Sequence, residues 1–298
     1  MSDEEWLPFP DVDVEQILVR CRDCLAAILG PVPRHLVEEM KRRDFDYAPV
    51  LRSADGNAAV LGLIPRCRLE ELLSEGRDLT EDDAGIHGGR EFQEVWVHSS
   101  LAELLRKMAE RPVWMVEYEG DAGEYGPFYL SYGIVTRSDL NKHPIRILVY
   151  EILAKLETAL ADLVRGCVSD HLQWIQRLSE ENQARILGYW ELSKLRGVDT
   201  GPVAGATLAD LLNVVARDES LRRRLGYDSR SSFEEAVGSI PSVRNQVMHP
   251  VRPLVTDAES CLHLKTVLRE AIRLTERLRT RPSGEERGQI GVHRRDHT

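Results

Sequence analysis

The chain reads as an α+β protein in two parts: a module built from a repeated α-β-β-α unit over residues 1–145, then an all-α helical bundle over 146–280. Three observations predict this. A helix-strand-strand-helix order occurs twice in the first half, at a spacing of about fifty to sixty residues, the signature of an internal repeat. After Pro144 the strand patterns stop and apolar residues recur at i, i+4 spacing. The charge also separates: residues 1–145 hold 28 acidic and 16 basic side chains, and 146–298 hold 21 and 23.

In chain order, Val14, Ile17, Leu18, Cys21, Leu25 and Ile28 fall at helical spacing, which predicts a helix over 13–29 ended by Gly30-Pro31. A short helix follows in HLVEEMKRRD, then a strand at 47–51, a turn at 54–57, a second strand at 59–64 and a helical LEELL at 69–73. The order then returns. Residues 95–97 read as a strand, 100–110 as a helix, 113–118 and 130–136 as strands, and Arg137–Asn141 as the start of a helix. The stretches 80–90 and 119–127 are longer than a hairpin requires and read as lids or plain surface loops.

The second half opens on a long helix over 145–165, with Ile145, Leu148, Ile152, Leu156, Leu160 and Leu163 as its stripe. A helical pattern continues over 170–195, with Gly197 as its stop. Trp174 and Trp190 suit core or interface anchors better than base-stacking platforms. Shorter helices are expected at 207–217 and 220–225, a longer one over 231–248 and a final amphipathic one over 257–279. Residues 281–298 carry almost no apolar side chains and are expected to be a disordered, solvated tail.

A composition of 42% hydrophobic and 30% charged residues is that of a folded, water-exposed protein. No apolar run reaches membrane-spanning length, and the acidic start MSDEEW lacks the basic and apolar regions of a signal peptide. A cytoplasmic protein without a membrane partner is the expectation, and five cysteines, an odd count, fit a reducing compartment. Cys21 and Cys24 form one C-x-x-C with no second pair to complete a metal site, so a half-buried helix face is the reading there and no metal ligands are assigned.

Two stretches carry chemistry. The first is SVRNQVMHPVRPL, residues 242–254, in which Arg244, Asn245 and His249 form an R-N-x-x-x-H string against Pro250. A permanent cation, an orienting amide and an imidazole suit the handling of a phosphate and its protons. At 3.6 residues per turn, Arg244 and His249 leave different faces of a helix, so one copy does not converge on one phosphate. Pro250 disfavours the α conformation at His249 and predicts that the His ends a helix. The alternative is structural, with Arg244 an ion-pair partner and His249 a cap. The string resembles the R-x4-6-H signature of HEPN domains, and LETALADLV at 156–164 resembles the first helix of that family. The resemblance implies an all-α bundle that dimerises so that two motifs face each other, with RNA as substrate and no metal or cofactor in catalysis.

The second stretch is Gly133-Ile134-Val135-Thr136-Arg137-Ser138-Asp139-Leu140. It is similar to the G-h-h-T-x-x-D-L end of a CBS motif. That resemblance implies a tandem CBS module binding an adenine nucleotide as regulatory ligand, with Thr136 for phosphate or ribose and Asp139 for ribose hydroxyls. Thr-x-x-Asp ahead of a helix is equally an ordinary N-cap arrangement. The first unit departs from the pattern, with Pro65 and Arg68 where Thr and Asp stand in the motif, so Thr136 and Asp139 alone are carried over.

Together these readings predict a homodimeric, metal-independent endoribonuclease with a built-in nucleotide sensor, in a toxin-like defence or stress role. The alternative is a non-catalytic nucleotide- or RNA-binding regulatory protein or toxin–antitoxin component. A third reading keeps the fold and gives Arg244 and His249 structural roles only. The direct junction at Pro144 predicts that the sensor acts on the helical part.

Overall fold

Short strands form where the first helix was expected. The computed structural model describes residues 9–20, 25–52, 60–88, 98–117, 132–167, 172–198 and 200–279. It opens with β1 (Asp11–Asp13), a 3-10 turn over Val14–Gln16, then β2 (Val19–Arg20), β3 (Ala27–Ile28) and β4 (Gly30–Pro31). The helix expected over 13–29 is not formed. Val14, Ile17 and Leu18 are buried, but their spacing also fits a single turn leading into extended chain. Pairing with distant strands, β2 with β10 (Tyr132–Thr136) and β3 with β5 (Tyr47–Leu51), overrides the local periodicity. Cys21 and Cys24 lie outside the described residues.

The repeat is present. Its first copy runs α1 (Arg34–Arg43), β5, β6 (Val60–Pro65) and α2 (Arg66–Glu75). Its second runs α4 (Leu101–Glu110), β9 (Val113–Glu117), β10, a 3-10 helix over Arg137–Asn141 and α5 (His143–Cys167). Both strand pairs are antiparallel, with Tyr47 opposite Pro65 and Val113 opposite Thr136. One backbone bond recurs at the same place in each copy: Arg66 N–H donates to Asp46 O at 2.7 Å, and Arg137 N–H to Pro112 O at 3.0 Å. Gly133 leaves room for the Leu18 side chain, whose Cδ1 would stand 2.7 Å from a Cβ there. Between the copies lie β7 (Asp78–Leu79), α3 (Glu81–Gly88) and β8 (His98–Ser100). Most of the stretch 80–90, expected as a loop, is therefore helix, started by Asp83 accepting from Thr80 N–H at 3.1 Å and Thr80 Oγ1 at 2.7 Å. The strand expected at 95–97 and the loop at 119–127 fall outside the described residues.

Strand β6 is buried on both faces. Ile64 packs with Leu36, Val37, Met40 and Leu69 of the flanking helices, while Leu63 packs with Val113, Met115 and Ile134 of the second copy. The two copies are held together through that second cluster.

The chain divides into two compact units, an α/β unit of Pro8–Tyr150 with Asn245–Thr266 and a helical unit that includes Glu151–Arg244 and the described residues from Val267 on. The division does not fall at Pro144, which sits in the first turn of α5, where its missing N–H is no loss. The helical unit takes the rest of α5, then a 3-10 turn over Ile175–Arg177, α6 (Glu180–Leu195), α7 (Leu208–Arg217), α8 (Glu219–Arg224) and α9 (Arg230–Val237). It also takes most of α10 (Ile240–Met248) and the later part of α11 (Ala258–Arg279). Ile152, Leu156, Leu160 and Leu163 form the buried stripe of α5 as the spacing predicts, and Trp174 is a core residue. Helix α6 differs: Ile186 is buried, but Tyr189, Leu192 and Leu195 are exposed. The long helix expected over 231–248 is two helices, broken at Gly238 and Ser239. Among the described residues no helix is long and apolar enough to cross a membrane.

Two outcomes follow. Leu63→Ala empties the cluster shared by the two copies and is expected to cost about 2–5 kcal/mol of unfolding free energy in urea titrations. Burial pushes the Asp83 carboxyl up, but bonds from Thr80 and Arg68 outweigh it and hold the carboxyl below its usual range. A depressed folded-state pKa contributes stability above the unfolded value of about 4 and loses it as pH falls. The wild-type urea midpoint should therefore drop more between pH 6 and pH 3 than that of Asp83→Asn.

Candidate functional site

Helix α10 presents the R-N-x-x-x-H string at its C-terminal end. Ile240, Val243 and Val247 bury one face of the helix, which leaves the intervening positions for polar side chains. His249 is the first residue past the helix, as Pro250 requires. Its N–H donates to Asn245 O at 3.1 Å and Gln246 O at 3.3 Å, and its own carbonyl accepts from Arg252 N–H at 2.9 Å. Asn245 and His249 are both exposed, and at four residues apart they share one face. Arg244 is turned about 140° from His249 around the helix axis. It is half-buried, and its Nη2 lies 4.0 Å from Glu157 Oε2 in the helical unit. The division between units passes between Arg244 and Asn245, so His249 belongs with the α/β unit.

One buried cation ties the last turn of α10 to the turn that follows it. Arg146, 7% exposed, donates to Gln246 O at 2.9 Å and to Arg252 O, with Nε reaching Asn141 O at 3.0 Å. Burial lowers the pKa of this guanidinium; an arginine keeps its proton through such shifts.

The α/β unit carries an open cavity of about 730 Å³, within the range of small-molecule sites. It lies where the two copies of the repeat face each other. From the first copy come Pro65, Arg66, Cys67 and Glu70, and from the second the equivalent positions Thr136, Arg137, Ser138 and Asn141. Asp46 and Pro112, partners in the recurring backbone bond, line it as well. Val255 and Thr256, from the loop that follows His249, complete the wall.

The two walls differ in chemistry. On the first, Arg66 pairs with Asp46 at 3.2 Å and Glu70 at 3.9 Å, and Lys41 pairs with Glu70 at 3.2 Å. The second offers hydroxyls, an amide and the Arg137 guanidinium, with Thr136 Oγ1 and Ser138 Oγ 2.6 Å apart. Arg137 is tied to the end of α4 through Met108 O at 2.5 Å and Ala109 O at 3.2 Å. Burial, with Asp46 beside it, pushes the Tyr47 phenol up, so it stays a neutral donor. Such a cavity suits a polar ligand that exchanges bonds with both paired charges and hydroxyls.

Thr136 lines this cavity, whereas Asp139 does not. Asp139 is buried beneath it, with Oδ2 accepting from Thr136 N–H at 2.6 Å and Thr136 Oγ1 at 2.8 Å, and Oδ1 2.7 Å from Lys142 Nζ. The same arrangement occurs at Thr80/Asp83 and at Thr207/Asp210. The segment after Thr136 is a five-residue 3-10 helix rather than an α-helix.

Asn141, Arg146, Glu157 and the charged wall were not singled out from the sequence. Asn141 and Arg146 stand beside an ordinary apolar stripe, and the partners that tie them to the α10 end and its loop lie 100 or more residues away. Nothing local marks them. Asp139→Ala is expected to cost about 0.5–2 kcal/mol in urea unfolding, the range for a lost N-terminal cap. Asp210→Ala, which also removes the buried partner of Arg185, should cost more than that, whereas Ser138→Ala should stay within about 0.5 kcal/mol of wild type.

The chain matches no family model, no curated protein and no solved structure.

Proposed function

We propose that the protein is a homodimeric, metal-independent endoribonuclease of HEPN type whose activity answers to an adenine nucleotide held in a CBS-like module. The observation that carries the reading is the end of α10, where exposed Asn245 and His249 share one face and Arg244 stands one residue upstream. In this reading His249 takes the proton of the ribose 2′-hydroxyl as that oxygen attacks phosphorus. The bond from phosphorus to the 5′-oxygen breaks, and a second imidazole protonates the departing oxygen. The products are a 2′,3′-cyclic phosphate and a 5′-hydroxyl. Arg244 offsets the negative charge that builds on the phosphorane, and Asn245 orients the ring or the phosphate. Because Arg244 and His249 leave the helix on different sides, a complete site takes its Arg from one copy and its His from another.

The nucleotide reading rests on the cavity. Thr136, with Ser138 beside it, meets phosphate or ribose, and Asp139 acts by fixing Thr136. The residues that accept ribose hydroxyls are then the carboxylates that line the cavity, Asp46 and Glu70 among them.

A second reading, a nucleotide- or RNA-binding regulator without catalysis, is favoured by the ion pair of Arg244 with Glu157, which gives that arginine a structural task. One experiment separates the two. Labelled mixed-sequence RNA is incubated in EDTA with and without AMP or ATP, beside Arg244→Ala and His249→Ala, with melting temperature and dimer mass recorded. Loss of about a hundredfold or more in each folded variant is expected for removal of a general acid–base or charge-stabilising group. A dimeric wild type that binds nucleotide and cuts nothing under either condition replaces the first reading with the second.

A further inference from the structure

The loop that follows His249 is shared between the α10 end and the cavity. Residues 249–256 leave the helix, fold back on Arg252, and reach the cavity wall at Val255 and Thr256. Asn141 holds them there from the other side. Its Oδ1 accepts from Leu254 N–H at 2.6 Å and Val255 N–H at 3.0 Å, and its Nδ2 donates to Val255 O at 2.8 Å. An amide offers two acceptor lone pairs and two donor hydrogens, so three of the four are spent on this one stretch of backbone.

Asn141 has two further attachments. Its side chain stands in the cavity wall, five residues beyond Thr136 on the 3-10 helix that also carries Arg137 and Ser138. Its carbonyl accepts from Arg146 Nε, whose other arms hold Gln246 O and Arg252 O, three residues before and three after His249. The loop is thus clamped at both ends. A group that presses on Asn141, Val255 or Thr256 from within the cavity moves backbone bonded on either side of the imidazole.

We propose that Asn141 and Arg146 are positioning residues for His249, and that the 249–256 loop conveys to His249 whether the cavity is filled. All of these residues belong to the α/β unit, so the link needs no motion between units. The inference deepens the function proposed above and rests on its reading of His249 as the working imidazole.

The test fills the cavity without presupposing its natural ligand. Cys67 is exposed and lines the cavity, so a bimane group attached there occupies it. The full-length chain carries Cys21→Ser, Cys24→Ser and Cys167→Ser, leaving Cys67 and the buried Cys261. Two quantities are read: hydrogen exchange at the Leu254 and Val255 amides, and the His249 C2-proton resonance at fixed pH, assigned by its loss in His249→Ala. Asn141→Ala should raise exchange at both amides about tenfold or more, as expected for two lost bonds. Asn141→Asp, which keeps the acceptor, should preserve much of the protection.

Bimane should shift the His249 resonance in the parent chain and in Asn141→Asp, and leave it in place in Asn141→Ala. A resonance that stays fixed in the parent, or shifts equally in Asn141→Ala, overturns the proposal. If the resonance responds as expected and the protein cuts no RNA, the link stands and the ribonuclease reading falls. If RNA is cut and the resonance does not respond, the reverse holds.

Discussion

A guanidinium buried among backbone carbonyls organises the region that matters most. Removing Arg146 from water is costly, and the cost is offset by hydrogen bonds whose acceptors lie far apart in sequence. Gln246 O, which also accepts from His249 N–H at 3.3 Å, and Arg252 O are both drawn onto this one side chain. Pro250 sets where α10 stops, and this side chain ties that end to the turn at Arg252 and to the chain entering α5. The candidate imidazole is exposed, yet the backbone on either side of it is bonded to a buried side chain.

The Thr-x-x-Asp motif shows how one pattern serves two readings. As a cap, it is satisfied three times over by the same bonds, at Thr80, Thr136 and Thr207. Of these, Thr136 lines the cavity. The motif alone therefore says that a helical segment begins; whether a ligand is near depends on which strand precedes it and what faces that strand. Placement of β10 against β9, with the first copy opposite, gives Thr136 its setting.

Much of the fold was legible because local pattern and tertiary partner agree there. Residues 47–51 alternate little and are bounded by polar residues, as a strand buried on both sides should be, and they form β5 as read. The i, i+4 stripe of α5 needed no partner to be recognised. Residues 13–29 failed for the opposite reason: Ala27 and Ile28 satisfy their backbone against Val50 and Leu51, a pairing that no local periodicity encodes. The end of α10 was readable from Pro250, a local constraint. The clamp beneath it was not, since Asn141 and Arg146 reach the α10 end through residues a hundred or more positions away.

The cavity lies where two copies of one structural unit meet, and its opposing positions correspond pair by pair: Pro65 with Thr136, Arg66 with Arg137, Cys67 with Ser138, Glu70 with Asn141. Had the two copies been alike, a guest could lie in either of two directions with equal energy. Both sides keep an arginine, but its neighbours are acidic on one side and hydroxyls with an amide on the other, and this removes that degeneracy. A space lined by both copies accommodates one guest for the pair, and an asymmetric lining gives that guest a single polarity, with its head and tail told apart.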